Sequence, residues 1–165
     1  MSEFAPEWLD LREPADLRAR SSDVANTVSA RFALRDDVSV LDLGSGTGSN
    51  LRATAPLLPH RQSWKLVDHD AGLHEVAKTR LAAWADAAEF SDNGLRLRKD
   101  RREIDVTFVV ADLASETAHL LDQPLHLVTA SAFFDLTSQD YIRALAKAVA
   151  EHRIAFYATL TYNGQ

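Results

Sequence analysis

The chain has 165 residues, 46% of them hydrophobic and 25% charged, which is typical of one globular domain and excludes a disordered or fibrous chain. Its formal net charge of −6 disfavours nucleic acid as a partner, because DNA and RNA are polyanions. It contains no cysteine, which excludes disulfides and thiolate metal sites. It also has no apolar run of the roughly 20 residues that cross a bilayer, which excludes a membrane span. We therefore expect a cytoplasmic protein.

Residues 1–35 are predicted to form a helical cap that precedes the rest of the domain. Apolar residues recur on one helical face at Leu17, Val24, Val28 and Phe32. This spacing predicts one or two amphipathic helices, with Pro14 near the start of one of them, since proline is favoured in the first helical turn.

Residues 36–165 alternate between segments with the hydrophobic pattern of a strand and segments with that of a helix. Short apolar runs rich in β-branched residues predict five strands, at residues 38–42, 64–68, 106–112, 125–130 and 154–160. Helical spacing follows at Leu73, Val76, Ala77, Leu81 and Trp84, and again at Ile142, Leu145, Ala146 and Val149. Repeated strand-then-helix order predicts an α/β fold, a doubly wound and mostly parallel sheet with helices on both faces.

Residues 94–105 interrupt this alternation. Apolar and charged residues alternate there around a basic centre, which predicts a small hairpin running into the third strand. The basic residues are Arg96, Arg98, Lys99, Arg101 and Arg102. An RNA-binding surface is the alternative, but the interleaved Asp100, Glu103 and Asp105 favour a solvated hairpin face.

A glycine-rich turn follows the first strand in the segment VSVLDLGSGTGSN, residues 38–50. Gly44, Gly46 and Gly48 allow the backbone to turn sharply and to approach a ligand closely. A helix beginning near Ser49 or Asn50 would point free NH groups into the turn, where they suit a carboxylate or a phosphate. Glycines alone are also compatible with an ordinary loop, but the position between a strand and a helix favours a ligand site.

Asp42 indicates which ligand the turn accepts. A dinucleotide fingerprint needs a third glycine where Ser49 stands, and a carboxylate two residues before Gly44 would repel a pyrophosphate. The same carboxylate attracts an ammonium or a sulfonium group. The sequence therefore favours a cationic nucleoside over a nicotinamide dinucleotide.

Two more aspartates close later strands. Asp68 ends the second strand, where a carboxylate can accept hydrogen bonds from a ribose diol; capping the next helix is the alternative, but Asp70 is better placed for that. Asp112 ends the third strand and could accept from an adenine amino group, with helix capping again the alternative. Ligands bind at the carboxyl edge of such sheets, where these acids would meet.

These residues resemble the class I S-adenosylmethionine-dependent methyltransferase superfamily. VLDLGSGTG is similar to its first motif, LVDHD to its second-strand acid and VVADLA to its adenine-contacting acid. The resemblance implies a Rossmann-like fold, S-adenosylmethionine as cofactor and methyl transfer as the activity. The cofactor-binding residues that it implies are Asp42, Gly44, Ser45, Gly46, Gly48, Asn50, Asp68, His69, Asp112, Leu113, Ala130 and Ser131.

The segment EWLDLREPADLRARS also resembles the leader of uncharacterised bacterial members of this superfamily. In those members the leader helices would lie over the cofactor. By this resemblance Arg12, Arg18 or Arg20 would reach the carboxylate of the methionine moiety.

One departure concerns the last strands. The superfamily sheet usually ends in an antiparallel hairpin beside the fifth strand, whereas this sequence stops at TYNGQ soon after that strand. We expect a fragment, a partner that supplies the missing edge, or a natively short domain. An uncovered fifth strand predicts a homodimer or poor solubility.

The acceptor of the methyl group is expected to be a small molecule. Methyl transfer mainly requires alignment of acceptor and methyl group, and Asp135 near the fourth strand end is the candidate base if the acceptor must lose a proton. A capping or loop role for Asp135 is the alternative. A catalytically silent S-adenosylmethionine-binding module or fragment and, less favoured, an NAD(P)-binding oxidoreductase are the competing functions. The six histidines show no ligand spacing, so no metal is expected.

Overall fold

Two helices precede the sheet in this computed structural model, which describes residues 5–160. Helix α1 spans Pro6–Ala19 and α2 spans Ser22–Phe32. Ser21 begins α2 as its cap by accepting a hydrogen bond from the Val24 amide, and Val28 and Phe32 are buried. The N-terminal helical cap is therefore confirmed, with two helices.

The predicted position of Pro14 in this cap is wrong. Pro14 lies inside α1, and Pro6 occupies the first turn, where the missing amide hydrogen removes no helical hydrogen bond. The preference of proline for a first helical turn applies to Pro6 instead. None of the residues of α1 is buried, so no apolar stripe marks where this helix begins.

Seven strands form one sheet in the order β3-β4-β5-β2-β1-β6-β7. β1 pairs in parallel with β2 and β6, and the parallel pairing continues from β2 to β5 and from β6 to β7. The pairs β3 with β4 and β4 with β5 are antiparallel. The strands are β1 Asp37–Leu43, β2 Arg61–Asp68, β3 Ala87–Ser91, β4 Gly94–Lys99, β5 Arg102–Val110, β6 Leu127–Ser131 and β7 Ala155–Thr159.

Helices cover both faces of this sheet, as predicted. The remaining helices are α3 Ser49–Thr54, α4 Ala71–Trp84, α5 Leu113–Leu121 and α6 Gln139–Glu151, with 3₁₀ turns at Ala55–Leu57 and Phe134–Leu136. The first apolar core packs α2, α3 and α4 against one face of the sheet around Trp64. The second apolar core packs α5 and α6 against the opposite face around Leu41. Since β1, β2, β5, β6 and β7 run parallel, their carboxyl ends meet at one edge of the sheet.

The predicted hairpin is also confirmed, because β4 and β5 pair across a turn in which Asp100 has a φ of 54°. β3 was missed, since its residues AAEFS are largely exposed and carry little strand pattern. Two of the basic side chains of the hairpin form ion pairs, Arg96 with Asp105 and Lys99 with Asp86. The exposed Arg96–Asp105 pair matches the solvated face that the interleaved acids predicted.

β7 lies at the other edge of the sheet. Among residues 5–160 its pairing partner is β6, and Phe156 on β7 is 45% exposed. The final TYNGQ segment begins with Thr161 and lies outside the described residues, so the prediction of a missing hairpin stays a prediction. No helix within residues 5–160 is long and apolar enough to cross a membrane.

Candidate functional site

The glycine turn leads from the end of β1 into α3, at the carboxyl edge of the sheet. Gly44, Gly46 and Gly48 have φ values of 65°, 51° and 79°, a left-handed conformation that other residues rarely adopt. A Cβ at Gly44 would also lie 2.5 Å from the Phe133 ring, and Gly48 is the cap residue just before α3. The turn and the start of α3 are therefore placed as predicted.

Asp68, at the end of β2, holds the turn in place. One carboxylate oxygen accepts from the Gly46 amide at 2.8 Å, and the other accepts from the Asp70 amide at 3.1 Å. His69 Nδ1 lies 3.3 Å from the second oxygen, and the His69 ring is largely exposed. Asp70 itself caps α4 by accepting from the Gly72 amide. Capping thus falls to Asp70, as the sequence favoured, and Asp68 links the first two strand ends.

Asp42 lies beneath the turn and is fully buried. Its Oδ1 accepts a 2.8 Å hydrogen bond from Asn50 Nδ2, which also donates to Thr129 Oγ1 on β6. Its Oδ2 is buried without a hydrogen-bond partner among the described residues. Burial raises the pKa of Asp42 to about 7, although the Asn50 hydrogen bond and the charge of Arg20 lower it and the charge of Asp68 raises it further.

Arg20 reaches this network from the junction of α1 and α2. Its Nη2 donates to Asn50 Oδ1 at 3.0 Å and to Ser131 Oγ at 3.3 Å. Its Nε is buried, and no acceptor for it lies within the described part of the chain. Of the other two arginines considered, Arg12 pairs with Asp16 and Arg18 is exposed.

The Asn50 amide therefore stands between a cation and a carboxylic acid. Its oxygen accepts from Arg20 and its nitrogen donates to Asp42, which fixes the orientation of the amide. Sequence reasoning included Asn50 and Ser131 among the candidates, but it did not find Thr129 or the link through Asn50. A buried threonine in a strand carries no sequence signal that separates it from core residues.

Asp112 caps α5. Its Oδ1 accepts from the Ala114 amide at 2.9 Å, while Glu116 accepts from the Asp112 amide at 3.0 Å, a reciprocal capping arrangement. Leu113 packs into the second core, and Ala130 on β6 is fully buried in the same core. Capping is the alternative that the sequence left open, and contact with adenine stays a prediction.

Asp135 lies on the exposed 3₁₀ turn Phe134–Leu136 after β6. Just before it, Ala132 has a φ of 51°, which turns the chain so that Phe133 packs against Gly44. Phe133 also contacts the rings of Phe134 and Tyr141 edge to face. The structure places Asp135 near the carboxyl edge, and its catalytic role stays a prediction.

His74 is a site residue that sequence reasoning missed. It is 3% exposed on α4, and its Nε2 lies 3.4 Å from Ser45 Oγ in the glycine turn. Burial lowers the pKa of His74, which keeps the ring neutral under the turn. The signal that could have found it is its spacing of seven residues from Leu81, which puts both on one helical face.

The site contains no recognisable metal centre. Within residues 5–160, no group of three or more histidine, aspartate or glutamate side chains is arranged to hold a metal ion. The polar groups that converge at the edge are instead amides, hydroxyls, one arginine and two buried aspartates. Such groups can hold an organic ligand that carries both charges.

Comparison with solved structures shows the class of fold: it is a Rossmann-like α/β fold, similar to that of several S-adenosylmethionine-dependent methyltransferases. The chain is similar to a Methanococcus maripaludis protein proposed to be such a methyltransferase, with 15% identity, a TM-score of 0.54, and coverage of 96% of this chain and 66% of that one. It is also similar to magnesium protoporphyrin IX methyltransferase of Synechocystis with bound S-adenosylmethionine, with 15% identity, a TM-score of 0.54, and coverage of 92% and 60%.

A third similar structure is the arsenic(III) S-adenosylmethionine methyltransferase of Chlamydomonas reinhardtii, with 23% identity, a TM-score of 0.51, and coverage of 87% of this chain and 45% of that one. The chain thus spans about two thirds or less of the length of these proteins. No family model and no curated protein sequence matches it.

Proposed function

We propose that this chain binds S-adenosylmethionine at the carboxyl edge of its sheet and transfers the methyl group to a small-molecule acceptor. The observation that carries the proposal is the hydrogen bond from the Gly46 amide to Asp68, which joins the glycine turn to the second strand end. This arrangement places a close backbone approach beside a carboxylate, as an adenosyl ligand requires.

Two buried polar atoms support the methionine half of the ligand. Asp42 Oδ2 and Arg20 Nε are both without partners among the described residues, and they belong to side chains on opposite sides of Asn50. An amino acid carries an ammonium group that suits the aspartate and a carboxylate that suits the arginine. We therefore assign Arg20, rather than Arg12 or Arg18, to the ligand carboxylate.

Asp68 and His69 are assigned to the ribose. Each Asp68 oxygen already accepts one backbone NH, and a carboxylate has about four lone-pair sites, so each oxygen can also accept a hydroxyl group. Asp112 and Leu113 are assigned to adenine. Asp112 is exposed while it caps α5; its Oδ2 accepts from Ser115 Oγ at 3.2 Å and keeps a second lone pair for an amino group.

When bound, S-adenosylmethionine would supply a methyl group activated by its positively charged sulfur. The residues of this chain contribute binding and alignment, which is the main requirement of an in-line displacement. Asp135 is the candidate base for an acceptor that must lose a proton. The net charge of −6 supports a small molecule over a nucleic acid, and we retain the expected cytoplasmic location.

A module that binds S-adenosylmethionine without catalysis is the second candidate. The observation that favours it is the exposure of Asp135, because a general base works best when it is held against the reacting atom. An NAD(P)-dependent oxidoreductase is third, since the buried Asp42 under the turn opposes a pyrophosphate.

Titration calorimetry with S-adenosylmethionine, S-adenosylhomocysteine and NAD tests the proposed ligand. Both adenosyl compounds should bind and NAD should not. Asp68→Asn should weaken adenosyl binding roughly 10- to 100-fold, because hydrogen bonds to a charged acceptor are lost. Asp70→Ser is the matched control, since it removes a neighbouring charge while keeping a capping side chain, and it should bind like the wild type.

Binding of NAD alone, or equal affinities in Asp68→Asn and wild type, would contradict the assignment. A thermal melt of each variant shows whether a loss of binding comes from unfolding. Methyl transfer from labelled S-adenosylmethionine to a metabolite panel then separates the enzyme from the silent module. An Asp135→Asn variant that binds normally but no longer transfers methyl groups would support the base role.

A further inference from the structure

Three residues at and beside the glycine turn are almost completely closed off from solvent. Ser45 and Thr47 in the glycine turn are 4% and 3% exposed, and Asp68 is 5% exposed. A ribose cannot reach a carboxylate that is covered to this extent. The structure therefore shows a closed form of the site, and something must move before an adenosyl ligand can enter.

Helix α1 covers the turn. A Cβ at Gly46 would lie 3.9 Å from Leu9 Cδ1, so Leu9 of α1 lies over the middle glycine. Two ion pairs, which we call the latch pairs, hold α1 against the body of the protein. They are Glu13 with Arg52 on α3 and Asp10 with Arg80 on α4.

One latch pair joins α1 to α3, which follows the turn, and the other joins α1 to α4. Arg52 also donates to the Thr47 carbonyl at 3.0 Å, and Arg80 also donates to the Pro6 carbonyl at 3.4 Å. α1 is thus attached directly to the element that would bind the ligand. Any change in the position of α1 changes the exposure of the turn.

The attachment of α1 is mainly polar. None of its residues is buried, and Leu11 and Leu17 are 81% and 47% exposed. α2 differs, because it buries Val28 and Phe32 in the first core. Since apolar burial is the main force that fixes a helix to a protein, α1 can separate from the sheet at much lower cost than α2.

We propose that α1 is a lid that opens about residues 20–21 to admit an adenosyl ligand and closes over it through the latch pairs. The proposal rests on the proposed function for the identity of the ligand. Arg20 has an extended backbone between the two helices, and its guanidinium bonds to Asn50 and Ser131. The hinge end of the lid therefore stays at the site while the Pro6 end moves.

Spin-label distances test the lid without any ligand. The chain has no cysteine, so Leu11→Cys on α1 and Ala118→Cys on the exposed side of α5 introduce a single pair of labels. Replacing Asp10 and Glu13 by Asn and Gln removes both latch pairs. We expect a longer distance to appear or to gain about fivefold in population for each pair removed, as a surface ion pair contributes roughly 1 kcal/mol.

Lys78→Gln is the matched control. It removes the Lys78–Glu75 pair within α4, which lies on the same helix as Arg80 but does not involve α1. This variant should leave the distance distribution unchanged. If the wild type, the latch variant and the Lys78→Gln control all show the same distribution of label distances, the lid proposal is wrong.

Binding kinetics provide the second test. Asp10→Cys with Arg80→Cys, joined by a short bismaleimide, should slow association of S-adenosylhomocysteine at least tenfold relative to the same variant before cross-linking. Equal association rates in both forms would overturn the lid. If no form binds an adenosyl compound, the proposed function fails while the label distances still decide whether α1 opens.

Discussion

Asp42→Asn should change how the stability of this protein depends on pH. Burial raises the pKa of Asp42 from 3.8 to about 7 in the folded chain, while the unfolded chain keeps the ordinary value. Between these values the folded state binds more protons than the unfolded state. The contribution of Asp42 to the unfolding free energy is therefore present at low pH and is lost as the pH rises through about 7.

The size of this effect follows from the two pKa values. Because of this difference in proton binding, the unfolding free energy should fall by about 2.5 kcal/mol between pH 5 and pH 8. The substituted amide would keep an oxygen acceptor for Asn50 and carries no titrating proton, so the variant should lose this dependence. Its NH₂ group takes the place of the unpartnered Oδ2, and the unmade hydrogen bonds cost about 1 to 3 kcal/mol at every pH.

Urea unfolding at about pH 5 and about pH 8, followed by circular dichroism, measures the effect. At each pH the unfolding free energy of Asp42→Asn is subtracted from that of the wild type. This difference should be about 2.5 kcal/mol more positive at the lower pH than at the higher pH. Other groups, including His74 with its lowered pKa, contribute equally to both proteins and cancel. Asp140→Asn, which removes a carboxylate whose side chain is 96% exposed, is the matched control. A constant difference between wild type and Asp42→Asn would refute the reasoning.

Two further predictions concern packing and association. Gly94→Ala should destabilise the protein by about 3 kcal/mol in urea unfolding, because its Cβ would overlap the Val106 carbonyl oxygen. Gly72→Ala is the control in the first turn of α4 and should stay within about 1 kcal/mol of wild type. β7 pairs on one side with β6 among residues 5–160, and its other edge should pair two copies into a dimer in light scattering, whereas a monodisperse monomer would contradict this prediction.

The main elements of the sheet could be predicted because their hydrophobic periods are strong. β6 and the second halves of β1 and β2 are buried on both faces, so they appear as largely apolar runs, and each strand is followed by a helix. β3 could not be predicted, because an exposed edge strand has no core face to impose a pattern. The start of α1 could not be placed for a similar reason, since a helix without buried residues carries no apolar stripe.

The candidate site was predictable where it depends on backbone geometry. Three alternate glycines after a strand indicate a left-handed turn, and Gly44, Gly46 and Gly48 all have that conformation. The contact between Asp68 and Gly46 joins residues 22 positions apart, and only the pairing of β1 with β2 brings them together. The sequence placed both residues at one edge without revealing that they bond to each other.

By itself the sequence determined the fold class, the glycine turn and the aspartates at the ends of the strands. These features follow from the spacing of hydrophobic residues within each helix and strand and from the conformational freedom of glycine. Only the tertiary structure decided that Arg20 reaches Asn50, that His74 lies under the turn and that Leu9 of α1 lies over it. These contacts depend on how elements far apart in the chain pack against each other. Local propensity carries no information about such packing, so polar side chains that meet across the sheet edge become visible only in three dimensions.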